Sequence, residues 1–238
     1  MSRYCFPFIA KDLQKKMVFL GGPRQVGKTT LAKELLKQTP GGQYFNWDAA
    51  PDRAQMRART WLKDTPLVVF DELHKQPLWK SWIKGVYDTR ASEQQYLVTG
   101  SARLDVYKKG GDSLLGRYHY WRLHPFTLDD LPPVGASQGY LRLLEVGGFP
   151  EPFLTMDERE ATRWRRERFD RVVREDIRDL ENVRHLTLMQ YFVDALRGRV
   201  GGLVTLSNLA EDLQIAPKTA RSWLEIAEKM YLVFAIYP

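Results

Sequence analysis

The sequence predicts an α/β protein: a parallel five-stranded sheet with helices on both faces, followed by a helical region. Two observations predict it: five short strand-like segments precede Pro125, and helical segments separate them. A third is that the first apolar run leads directly into a glycine-rich turn that opens a helix.

Met17-Val18-Phe19-Leu20 is apolar at every position, which suits a strand buried on both faces. After the turn at 22–29, Leu31, Leu35 and Leu36, with Ala32, recur at helical spacing until Pro40-Gly41-Gly42 stops the helix. Further strands are expected over residues 43–47, 67–70, 95–99 and 118–123. If Ser101, just past the fourth strand, is to share a site with Lys28 and Asp71, the fourth strand must lie between the first and the third. The expected spatial order is then 5-1-4-3-2.

Beyond residue 124, Pro125, Pro132-Pro133 and Gly147-Gly148-Phe149-Pro150 punctuate the chain. These breaks separate a core at 1–124 from a helical lid or linker at 125–200 and a last segment at 201–238. Between Glu158 and Asn182, Ala161, Trp164, Phe169, Val172, Val173, Ile177 and Leu180 form a helical stripe. Arg163, Arg165, Arg166 and Arg168 are interleaved with acids, so a solvated, salt-bridged face is expected. Leu206, Leu209, Ala210 and Leu213, a turn at 214–217, and a helix from Thr219 to Lys229 make a helix-turn-helix candidate. A strand from Tyr231 to Tyr237 is expected to follow as part of a wing. Lys218, Arg221 and Ser222 are opposed by Glu225 and Glu228, which favours a structural or protein-docking role over DNA contact.

The chemistry concentrates in the core. Gly22-Pro23-Arg24-Gln25-Val26-Gly27-Lys28-Thr29 fits G-x-x-x-x-G-K-[ST] at every fixed position, between a strand and a helix. Glycines let successive N–H groups face phosphate oxygens, and the helix adds its positive N-terminus. The run from Gly22 to Thr30 is therefore the expected phosphate cradle, with Lys28 reaching the β- and γ-phosphates and Arg24 steadying the loop. Leu67-Val68-Val69-Phe70-Asp71-Glu72 is an apolar strand ending in two carboxylates, as a Walker B element does. Thr29 and Asp71 would hold magnesium, and Glu72 would orient and deprotonate the attacking water. Thr99-Gly100-Ser101 closes the fourth strand, so Ser101 or Thr99 would meet the γ-phosphate or the water, or else cap the next helix. Arg117, after Leu114-Leu115-Gly116, is a candidate arginine finger acting in its own chain or a neighbour's. His74 reads as a loop residue beside the site.

Composition narrows the classes. The chain has 238 residues, 44% hydrophobic and 27% charged, which suits a globular protein with a real core. It has no apolar stretch of membrane-spanning length and no signal-like N-terminus, so a cytoplasmic location is expected. A single cysteine, Cys5, excludes a disulfide framework and cysteine metal clusters, and the four histidines lack metal-ligand spacing. Residues 155–238 are charge-balanced, so the net +7 resides in residues 1–154, where part of it would meet ATP. Basicity is thus weak support for a DNA partner.

Taken together, residues 22–30, Tyr44-Phe45-Asn46-Trp47-Asp48, Phe70-Asp71-Glu72-Leu73-His74-Lys75, Thr99-Gly100-Ser101 and Leu115-Gly116-Arg117 resemble a prokaryotic family of AAA-type ATP-binding proteins. In that family a domain of unknown function follows the ATPase. The likeness continues through Gly147-Gly148-Phe149-Pro150-Glu151 and Arg174-Glu175-Asp176-Ile177 to Leu203 through Pro238. It implies an AAA+-like P-loop ATPase fold with a winged-helix-like segment behind it. Members of the family usually run on into a nuclease-like α/β region, so this chain is expected to be a fragment or a short member.

The leading expectation is a magnesium-dependent ATPase or ATP-gated switch. The alternative is a nucleotide-regulated DNA-binding or protein-binding module with negligible turnover. A P-loop kinase is the weaker third reading, because the Asp71-Glu72 pair favours water as nucleophile. Expected partners are ATP, with DNA, a protein or a second copy as candidates, and no membrane.

Overall fold

The computed structural model describes residues 3–91, 93–100, 114–131, 136–155, 157–177 and 186–236. The chain divides into two compact units, Met1–Met156 and Asp157–Pro238.

The first unit is built on one parallel sheet. Strands β1 (Met17–Gly21), β2 (Gln43–Asn46), β3 (Leu67–Asp71), β4 (Gln95–Thr99) and β5 (Tyr118–Arg122) lie in the order β2-β3-β4-β1-β5. This is the expected order read from the other edge, and each expected strand matches to within a residue at either end. Parallel strands need crossovers, and helices supply them: α2 (Lys28–Lys37), α3 (Ala50–Ala58) and α4 (Trp79–Asp88). A further helix, α1 (Phe6–Leu13), precedes β1. Because α2 carries the chain out to β2 and α3 and α4 carry it back, right-handed crossovers place α2 on one face and the others on the opposite face.

The burial pattern agrees with that winding. Val18, Leu20, Leu67, Val69 and Leu97 pack with Ile9 and Leu13 of α1 and with Leu31, Ala32 and Leu35 of α2. Met17, Phe19, Val68, Phe70 and Val98 pack with Met56 of α3 and with Trp79, Ile83, Val86 and Tyr87 of α4. Successive strand residues thus serve opposite cores, which is why β1 and β3 are apolar throughout. On the α3/α4 face Phe70 is the hub: its ring centroid lies 5.8 Å from Tyr96, 5.3 Å from Trp82 and 5.2 Å from Trp61. Those rings hold the strand whose next residue is Asp71.

After β5 come a one-turn helix, Leu128–Asp130, and helices α5 (Ala136–Val146) and α6 (Pro150–Thr155). Thr127 and Asp130 cap that turn reciprocally. Asp130 also accepts from the Tyr4 amide at 2.9 Å and lies 3.6 Å from Arg3 Nε, tying the segment before α1 to the segment after β5.

The second unit is helical. Helix α7 (Glu158–Arg171) runs into a π-helical turn, Val172–Ile177, and buries Ala161 and Trp164. Its Arg163 pairs with Glu167 at 2.7 Å on a solvated face, as the interleaved charges imply. Helices α8 (Leu186–Arg197), α9 (Leu206–Asp212) and α10 (Pro217–Lys229) follow, and Phe192 meets Trp223 edge-to-face at 5.7 Å. The helix-turn-helix pair is therefore present as α9 and α10. The wing is not: described residues 231–236 form no strand, and Phe234 and Ile236 are exposed rather than paired in a sheet. Apolar composition suggested a strand there, but a strand needs a partner, and the described residues of this unit contain no strand.

Phe70→Ala should cost about 3–5 kcal/mol, because the cavity would be lined by rigid rings that cannot collapse into it. Urea unfolding followed by tryptophan fluorescence measures this.

Candidate nucleotide site

The glycine-rich loop leaves β1 at the carboxyl edge of the sheet and ends as α2 begins. Gly22 has φ 143°, and a Cβ there would lie 2.4 Å from the Leu123 carbonyl oxygen, so only glycine lets the loop pass β5. Gly27 is the N-cap of α2 at φ 96°, a left-handed conformation that suits glycine. A Cβ at Gly27 would stand 3.9 Å from Pro150 Cγ, which brings the 147–150 turn against the loop. Lys28 is buried, and its ammonium donates to the carbonyl oxygens of Gly22 and Pro23 at 3.0 and 2.7 Å.

Asp71 ends β3 and is 2% exposed, so its carboxylate must be satisfied internally. Three hydroxyls do this. Thr29 Oγ1 donates to Oδ2 at 2.8 Å, Tyr44 from β2 donates to the same oxygen at 2.6 Å, and Thr99 from β4 donates to Oδ1. Burial, reinforced by the hydrogen bond to Asp71, pushes the Tyr44 phenol well up, so it stays a donor. A carboxylate offers about four lone-pair positions, which leaves Asp71 about one for a further partner.

Glu72 follows in a left-handed conformation, φ 58°, with its amide bonded to the Thr99 carbonyl at 3.1 Å. Burial pushes its carboxyl above the usual carboxylate range, Lys75 opposes that shift, and Asp71 adds to it. His74 Nε2 lies 3.6 Å and Lys75 Nζ 3.4 Å from Glu72 Oε2.

The fold brings together the loop, Lys28, Thr29, Asp71 and Glu72, while Thr30 faces solvent on the first turn of α2. Ser101 lies outside the described residues. Thr99 is buried and donates to Asp71 at the site. Arg117 sits elsewhere: it precedes Tyr118, which pairs with Met17 at the start of β1, whereas the loop leaves β1 at its end. A strand's length, roughly 15 Å, separates those edges. There Arg117 forms a two-pronged pair with Asp88 at 2.7 and 3.1 Å, which raises its own pKa and lowers that of Asp88. Within one chain Arg117 is thus not brought to the loop. Sequence reasoning missed Tyr44 and Lys75 as site residues, although both lie within stretches that carry the family resemblance.

The oxygen set fits magnesium. Hard oxygen donors suit that ion, and the Thr29–Asp71 spacing of 2.8 Å is close to that of adjacent ligands in an octahedron with metal–oxygen distances of about 2.1 Å. Among the described residues no group of three or more His, Cys, Asp or Glu side chains could hold a metal, so phosphate oxygens and water would complete the shell.

Comparison with known proteins agrees with this geometry. Residues 14–131 match a family model described as an AAA domain, and residues 137–238 match a domain of unknown function. Uncharacterized proteins of Mycobacterium bovis and Mycobacterium tuberculosis are each 27% identical over 225 residues, covering 93% of this chain and 50% of theirs. The chain thus spans about half the length of these curated relatives. A Walker-type ATPase of Pyrococcus abyssi aligns with TM-score 0.57 at 17% identity, covering 94% of this chain and 88% of that one, a likeness of fold. No helix among the described residues is long and apolar enough to cross a membrane.

Tyr44→Phe should leave the fold intact and raise the magnesium concentration needed for nucleotide binding severalfold, because Asp71 loses the hydroxyl that, with Thr29, fixes the direction of Oδ2. Titration with a fluorescent ATP analogue across a magnesium series measures it, and an unchanged requirement would exclude this role for Tyr44.

Proposed function

The chain carries an AAA-type P-loop ATPase domain followed by a domain of unknown function, and from that premise we propose that it binds ATP with magnesium and hydrolyses it. The observation that carries this reading is the meeting of Thr29, from the loop helix, with Asp71, from a separate strand, at 2.8 Å beside Glu72. A phosphate-binding loop alone supports nucleotide binding. An ionisable second carboxylate next to the first supports hydrolysis.

In this reading the amides of the loop and the N-terminus of α2 take the phosphate oxygens. Lys28 exchanges the carbonyls of Gly22 and Pro23 for β- and γ-phosphate oxygens, a move its flexible stem allows. Thr29 and Asp71 hold magnesium, which when bound neutralises charge on the phosphates. Glu72 accepts a proton from water as the water oxygen bonds to the γ-phosphorus and the bond from that phosphorus to the ADP oxygen breaks. Ser101, outside the described residues, and Arg117, at the far edge of the sheet, take no part in this single-chain account.

The test is a pair of variants assayed for both binding and phosphate release. Lys28→Ala should lose nucleotide affinity by at least tenfold. Glu72→Gln should retain ATP and lose turnover by about 100-fold or more, the scale of a general base. Turnover that survives Glu72→Gln unchanged would remove Glu72 from the reaction.

A further inference from the structure

The residues just beyond β3 do more than follow it, and what they do rests on the hydrolytic reading of Glu72. Glu72 leaves the strand with φ 58°, and the one-turn helix Leu73–Lys75 starts at once. That turn folds two side chains back onto one oxygen of the Glu72 carboxylate. Lys75 Nζ stands 3.4 Å and His74 Nε2 3.6 Å from Oε2. His74 is buried, so it approaches from inside the protein. Lys75 is itself anchored, with Asp48 Oδ2 just after β2 at 2.5 Å. An ammonium has three protons and can serve both carboxylates at once.

Water activation needs a carboxylate oxygen aimed in a fixed direction, yet a glutamate side chain has three torsions to restrain. Lys75 and His74 both approach at Oε2. We propose that Lys75, anchored by Asp48 and backed by His74, is a positioning residue that clamps the Glu72 carboxylate and so fixes its direction toward the attacking water. Two properties separate such a clamp from a stabilising ion pair. Lys75 and Glu72 are partly exposed, 31% and 24% at the side chain, so their contact adds little to stability. Its effect falls on the step that Glu72 performs.

The experiment is steady-state ATP hydrolysis with magnesium by the full chain, alongside ATP-analogue affinity and thermal midpoint. Lys75→Ala should lower kcat by about ten- to a hundredfold, a part of what a general base supplies, with KM, affinity and thermal midpoint unchanged. Lys75→Arg should recover most of the rate, since its guanidinium can still bridge two carboxylates. Asp48→Asn should lower kcat in the unaltered background and have no further effect in Lys75→Ala, because Asp48 acts through Lys75. An unchanged or increased kcat in Lys75→Ala, with the unaltered chain turning over ATP, would overturn the clamp and leave hydrolysis standing. An unaltered chain that binds ATP without turnover would instead overturn the hydrolytic reading, and the clamp with it.

Discussion

The carboxylate of Asp71 is the point on which the site depends. A buried carboxylate that lacked donors would be driven to neutralise or to pull the strand end into solvent. Here three hydroxyls, from α2, β2 and β4, converge on it, so one side chain joins the loop helix to two strands. The same bonds fix where the loop can sit. Thr29 cannot move without giving up its acceptor, and the loop position is therefore set by the sheet and not by the loop's own conformation.

The aromatic packing one residue earlier in the chain makes that anchor rigid. Phe70 lies on the α3/α4 face among Tyr96, Trp82 and Trp61, while Asp71 comes at the end of the strand, where the sheet gives way to the crevice. Ligands of open α/β sheets bind there, outside the carboxyl ends of the strands. The position of the site thus follows from topology, since β1, β3 and β4 are parallel and all deliver their last residues to one edge. Arg117 illustrates the converse: it stands before a strand, so it emerges at the opposite edge, with Asp88 as its partner.

What was legible in the sequence follows the same physics. Period and punctuation located all five strands, because a two-sided parallel sheet writes its burial into consecutive apolar residues, as in Leu67–Phe70. Their order was reached only by requiring Ser101 to share a site with Lys28 and Asp71. Glycine spacing identified the loop, since Gly22 is constrained by a close approach that no other residue tolerates. Tyr44 escaped notice because its role depends on β2 pairing with β3 in the register Tyr44↔Val69, which is a relation between segments. The wing strand failed for a related reason: Leu232, Val233 and Phe234 have strand composition, but composition does not supply a pairing partner.

The two adjacent carboxylates have opposite mechanical characters, and this difference makes them useful together. Asp71 is held by hydroxyls from elements the sheet fixes, whereas Glu72 turns out of the sheet through a left-handed residue and is met by side chains from the turn it starts. A non-glycine residue at positive φ costs on the order of 1 kcal/mol, and such strain persists only where neighbouring structure enforces it. The hydrogen bond that the Glu72 backbone N–H donates to the Thr99 carbonyl provides that enforcement. The kink points the second carboxylate away from the direction the strand would have given it. A regular strand would have sent Asp71 and Glu72 to opposite faces of the sheet. The left-handed turn lets the chain place two carboxylates at consecutive positions on one edge, as the proposed hydrolysis requires of Asp71 and Glu72.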